Sequence, residues 1–132
     1  MLPLRYTKRW QFVGIAILLT VLVFALTPPV WLRLDMRDVM LASDKSMHGV
    51  TFTFMTVWFC GQYARRSYWR VAAGMLLFGV FIEICQRMLE YRSAESLDLV
   101  ADSVGIAIGL AIAVAGAGGW SLRLEQWLLA RR

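Results

Sequence analysis

Three short stretches of this sequence hold side chains that an apolar chain keeps only for a reason. Asp44, Lys45 and His48 form the first, Glu83, Gln86 and Arg87 the second, and Arg92, Asp98 and Asp102 the third. Asp44 and His48 are four residues apart, Glu83 and Gln86 three, and Asp98 and Asp102 four, so within helices each pair shares a face. His48 is the single histidine. It is therefore the one side chain whose ordinary titration lies near neutrality, and the natural general base. The corresponding catalytic assignment is His48 as base, Asp44 orienting its ring and Glu83 as acid. The plainer counterpart is a packing histidine bonded to a carboxylate. Lys45 and Arg92 are donors of the kind that clamp a phosphate or pyrophosphate, arginine through its two-pronged fork, whereas Arg87 reads as solvated, snorkelling charge. The ligand-binding set is Asp44, Lys45, His48, Glu83, Gln86, Arg92, Asp98 and Asp102.

One histidine among carboxylates suits a hard divalent ion. The spacing has none of the usual signatures, however, and Lys45, Arg87 and Arg92 compete for the same carboxylates, so no metal and no other cofactor is expected. Ser43, Ser46, Ser93 and Ser96 stand outside any GxSxG or SxxK frame. Ser43 and Ser96 read instead as N-caps of the helices that follow them.

These groups need elements to hold them, and composition says which. The chain has 132 residues, 59% of them hydrophobic and only 17% charged. Soluble domains carry about 25% charge, so lipid is the solvent for much of this surface. Four apolar segments follow in order: residues 12–26, lengthened by Trp10 and Gln11, then 45–64, 71–89 and 96–118. Segments of this length cross a bilayer as helices. The first is too poor a cleavage site at Ala25-Leu26-Thr27 to be a removable signal. Between the first two spans, residues 30–43 alternate apolar and charged side chains, as an interfacial loop or short amphipathic helix does, and the tail 121–132 does the same. The fold class expected is all-α: a polytopic membrane protein of four transmembrane helices, one domain over residues 1–132, with an amphipathic loop segment and an amphipathic tail on the membrane surface. Cys60 and Cys85 fall near opposite ends of antiparallel spans, too far apart for a disulfide.

Lysines and arginines favour the cytoplasmic side. The two termini and the central link carry nine of them against five on the other side, so both termini are expected in the cytoplasm. Eight of the nine acidic residues fall towards the opposite half, with Glu125 alone on the cytoplasmic side. The net charge of +5 comes from clusters flanking apolar runs, not from a stripe with interleaved aromatics, and no nucleic-acid partner is expected.

Glu83 is the most informative single residue. It lies about six positions from the end of its span, roughly 9 Å below the interface. A charge at mid-helix costs on the order of 2.5–3.5 kcal/mol on insertion scales and less near the ends, so Glu83 should face inward and be paired or protonated. Its structural alternative is a tie to Arg87, Arg92 or His48.

The order Asp44-Lys45-Ser46-Met47-His48, then Glu83-Ile84-Cys85-Gln86, then Arg92-Ser93-Ala94-Glu95-Ser96-Leu97-Asp98 with Ala101-Asp102, Gly105 and Gly109 resembles the VanZ-like membrane family. The resemblance covers residues 44–109. That family most often has asparagine where this chain has Asp102, which keeps the acceptor and loses the amide donor. The resemblance implies a bacterial inner-membrane protein acting at the cell envelope, since the namesake of the family confers low-level resistance to teicoplanin, a lipid-tailed glycopeptide.

The leading functional expectation is a site on the periplasmic or outer side that binds the polar part of a membrane lipid or lipid-linked envelope precursor. Its rivals are a membrane enzyme acting on a lipid headgroup and an assembly partner whose polar cluster only locks helices together. The small residues Gly105 and Gly109 offer a face for close helix approach, including pairing with a second copy.

Overall fold

A computed structural model describes residues 1–27, 37–89 and 96–131, the side chains of 37–44 and 96 excepted. Every regular element among the described residues is helical. Helix α1 is Thr7–Leu26, α2 Arg37–Cys60, α3 Tyr68–Arg87, α4 Ser96–Ile112 and α5 Trp120–Ala130. A single 3-10 turn, Arg65–Ser67, leads into α3, and one π-helical turn, Ala113–Ala117, follows α4. Thr7–Leu26, Arg65–Arg87 and Leu97–Ala130 are long and apolar enough to cross a membrane.

Helix α1 presents Phe12, Ile15, Leu19, Val23 and Phe24 outward and buries only Gly14. It stops where Thr27 turns extended, with ψ at 134°. Thr27 precedes Pro28, and the residue before a proline is pushed out of helical backbone. Helix α2 corrects an expectation: it starts at Arg37, not Lys45, so Ser43 lies inside the helix and is not its N-cap, and the second half of the stretch expected as an amphipathic loop or short helix is helical and continuous with it. The reason is local: Val39, Met40, Leu41 and Ala42 all accept helix, and no proline separates them from the span. The remainder of that loop, through residue 36, lies outside the described residues, as do the link 90–95 and Arg92. Helix α2 ends at Cys60 and not Ala64, because Gly61 and Gln62 turn the chain beneath the indole of Trp120, against which any Cβ on Gly61 would collide.

The contact between α2 and α4 is the most extensive in the molecule. The two run in the same direction, and Gly49 and Gly105 bring their backbones together, with no room for a Cβ on Gly105. Gly109 packs likewise against Thr56, whose Cβ would lie 2.6 Å from an added Cβ. The face of small residues on α4 is thus filled by α2 of the same chain. Phe52, Met55, Met75, Ile82 and Ile106 make up the centre of the core.

Helix α4 ends at Ile112, and its π turn carries the chain on to Ala117 with Gly118 as the cap, close to the end expected; Gly116 within that turn and Gly119 just after it adopt φ of 140° and 69°, which break the helix axis. Helix α5 then packs against the end of the bundle, with Trp120 Nε1 donating to Val57 O at 3.3 Å and Ser121 Oγ to Gly61 O. Its buried face is its polar one. Ser121 and Glu125 are inside, while Leu124, Trp127 and Leu128 are exposed. The Glu125 carboxylate accepts from Arg5 N at 2.7 Å, Tyr6 N at 3.0 Å and Trp10 Nε1 at 2.7 Å, all at the start of α1, whose own N-cap lacks a side-chain bond. A negative charge there also complements the helix dipole. Burial works against charge on Glu125, but the bonds from Trp10, Arg5 and Tyr6, with the charge of Arg5, outweigh it and hold its carboxyl below the ordinary value. Trp10, Trp58 and Trp120 close this end, their ring centroids 5.0–5.9 Å apart.

Candidate polar site at one end of the bundle

The opposite end holds those of the side chains singled out from sequence that are described: Lys45, His48, Glu83, Gln86, Arg87, Asp98 and Asp102. Because α3 runs against α2 and α4, the start of α2, the end of α3 and the start of α4 come to one level. The inward register of α4 is Asp98, Asp102, Gly105, Ile106 and Gly109, and that of α3 is Met75, Gly79, Ile82, Glu83 and Gln86, both at helical spacing. Glu83, Gln86, Asp98 and Asp102 are all buried, in a chain where apolar side chains dominate the exterior.

At the heart of the site His48 Nδ1 meets Asp102 Oδ1 at 2.9 Å. The imidazole is 12% exposed and the Asp102 side chain 3%. With Asp102 as a carboxylate, which only accepts, Nδ1 carries the hydrogen, and the lone pair of the neutral ring is on Nε2. The other Asp102 oxygen, Oδ2, rests over Gly79 of α3, only 2.7 Å from where a Cβ would stand. A side chain at position 79 would push the carboxylate off the histidine. Asp102 is therefore held between three helices, and it orients the ring of His48 through Nδ1. Residue 44 lies on α2 one turn before His48, and its side chain is outside the described set.

Glu83 sits one turn beyond Gly79 on the same face of α3. Arg87 Nη2 donates to its Oε1 at 3.3 Å, an i,i+4 pair in which the arginine is 63% exposed and the glutamate 9%. Arg87 is thus solvated charge, as its position suggested, and also a loose partner for Glu83. Gln86 turns away from the other polar groups: its Nε2 donates to Ala25 O at 3.0 Å, satisfying one of the last carbonyls of α1. That makes Gln86 a tie between α3 and α1. Lys45 is half-buried at the mouth of a groove between α2 and α4. Arg92 is outside the described residues. Among the described residues no three His, Cys, Asp or Glu side chains converge as a metal site requires.

Sequence reading missed Gly79, Thr53 and Glu125. Gly79 had a signal, a glycine four residues before Glu83 on the inward face. Thr53 Oγ1 donates to Gly49 O at 2.8 Å and Gly105 O at 3.0 Å, closing the seam between α2 and α4 just below His48. Chemically the arrangement offers an oriented imidazole, buried carboxylates and a lysine gathered at one end of the bundle.

A family model described as VanZ/LLP1 matches residues 7–117. Neither a curated protein nor a solved structure matches the chain.

Proposed function

The chain belongs to the VanZ/LLP1 family, and from that premise we propose that it binds the polar head of a membrane amphiphile in the site around His48, Asp102, Glu83 and Asp98. The amphiphile is a lipid-linked envelope precursor or a lipoglycopeptide such as teicoplanin. The observation that carries this reading is the gathering of oriented and buried polar side chains at one end of an otherwise apolar bundle, which is costly in lipid without a role. In this reading α2 crosses the bilayer as a fourth span, shielded by α3 and α4. Both termini are cytoplasmic on the count of lysines and arginines, and the site faces outward from a bacterial inner membrane. Lys45 and Arg92 meet the negative charge of the headgroup, and Asp44 completes the mouth. Glu83→Ala and Arg92→Ala should each abolish a glycopeptide-resistance phenotype or headgroup binding while the protein still inserts. Full activity in both would sink the proposal.

The 2.9 Å contact between His48 and Asp102 favours a second reading, a membrane enzyme acting on a lipid headgroup. His48 is then the base through Nε2, Asp102 its positioning residue, Glu83 the acid, and Lys45 with Arg92 the stabilisers of phosphate charge. That reading requires turnover. Purified protein in lipid that binds polyprenyl pyrophosphate and leaves it unchanged, while the same headgroup is the one recognised in cells, rules the enzyme out and leaves the binder.

A further inference from the structure

The strongest unexplained feature is a groove on the exposed side of the α2/α4 seam. Val50 and Phe54 wall it on α2, Val104 and Ile108 on α4, all four more than a third exposed, and Gly49 and Thr53 form its floor. The polar atoms of that floor are consumed internally, since the Thr53 hydroxyl is turned onto the carbonyls of Gly49 and Gly105. What remains is an apolar trough with a cation, Lys45, and a hydroxyl, Ser46, at one end only. From Lys45 to Phe54 the trough runs about 13 Å along the helix axis, close to one leaflet of a bilayer whose hydrocarbon core is about 30 Å thick. Its mouth adjoins the polar site: Lys45 is one turn from His48, and Ala101 on the rim precedes Asp102.

We infer that this groove holds one acyl chain of an anionic membrane amphiphile, with the negative head drawn to Lys45. The inference rests on the proposed headgroup site and supplies its second half. Three features choose this occupant. In the proposed four-span reading the groove lies within the bilayer, where a molecule already dissolved in the bilayer reaches it. It runs along the helix axes, as lipid chains do. The one charged side chain that lines it, Lys45, is positive and stands at one end. Tails gain little from exchanging lipid for protein walls, so selection comes from the head.

The test uses the full chain in vesicles of phosphatidylcholine doped with either phosphatidylglycerol or phosphatidylcholine bearing a diazirine in mid-chain. We expect photolabel to concentrate on Val50, Phe54, Val104 and Ile108, several-fold more from phosphatidylglycerol. Val104→Trp should remove it, and Leu77→Trp, on the exposed face of α3, should leave it. Lys45→Gln should erase the preference between the two lipids. Label spread evenly over the groove and the outer faces of α1 and α3 would overturn the inference, as would cross-links between two copies of the chain at Val104. Groove labelling that persists in Glu83→Ala, where the headgroup site is disabled, supports the groove on its own, so the two readings fail separately.

Discussion

Asp102 reaches His48 across 54 residues of sequence and two helices, its Oδ1 2.9 Å from the imidazole Nδ1, while its Oδ2 leans on the bare Cα of Gly79. One side chain thereby sets the rotation of α4 against both α2 and α3. Removing it should be felt twice. Asp102→Ala removes the 2.9 Å partner of a poorly exposed imidazole and is expected to cost about 1–3 kcal/mol of stability. Asp102→Asn, with the residue most frequent at this position in the family, retains an acceptor for Nδ1 and should stay nearer to wild type. Thermal unfolding in detergent checks the order.

Gly79→Ala tests the same geometry from the far side. The added methyl meets the carboxylate at 2.7 Å, and overpacking of this kind typically costs about 1–3 kcal/mol. If the carboxylate is displaced as expected, headgroup binding falls with it; a variant that binds normally would show that the carboxylate has room to move.

Glu83 and Arg87 separate site from scaffold. The arginine is mostly exposed, so the pair adds at most about 1 kcal/mol, and Arg87→Ala should leave the melting temperature nearly unchanged. Glu83→Gln should also fold yet lose binding by tenfold or more. Equal losses of stability and binding in Glu83→Gln would assign the residue to helix packing.

At the other end, Glu125→Ala strands Trp10 Nε1 and the N–H groups of Arg5 and Tyr6, with an expected cost of about 1–3 kcal/mol. The pH dependence has a definite sign. The folded-state carboxyl is held below its ordinary value, so its contribution is present above the ordinary glutamate range near about 4.3 and is lost as pH falls through the lower folded-state value. Acid unfolding should be less steep in Glu125→Gln than in wild type.

Much of this was legible in the chain because helical spacing is. Asp98, Asp102, Gly105 and Gly109 mark one face whatever the neighbour, and the alternation of helix direction brings the start of α2, the end of α3 and the start of α4 to one level. What spacing leaves open is the rotation of each helix about its axis. Spacing offered the imidazole only Asp44, one turn away; that Asp102, 54 residues away, comes to 2.9 Å follows from the Gly49–Gly105 contact, which sets the register of α2 against α4. The tail is amphipathic as its alternation of residues indicates, but alternation does not say which face docks on the protein, and that face is the polar one through Ser121 and Glu125. The start of α2 was missed because charged residues at 37 and 38 look like a loop to a hydropathy reading and are ordinary in the first turn of a helix.

The central claim is that an amphiphile's headgroup occupies the site beside His48. Because His48 is the only histidine, protein labelled with nitrogen-15 histidine carries one reporter, and solid-state NMR in bilayers containing polyprenyl pyrophosphate reads its tautomer and its distance to phosphorus. The account predicts a neutral ring protonated at Nδ1, with a phosphorus contact that disappears in Glu83→Gln. A histidine signal unchanged by the pyrophosphate, with no phosphorus contact, would contradict it.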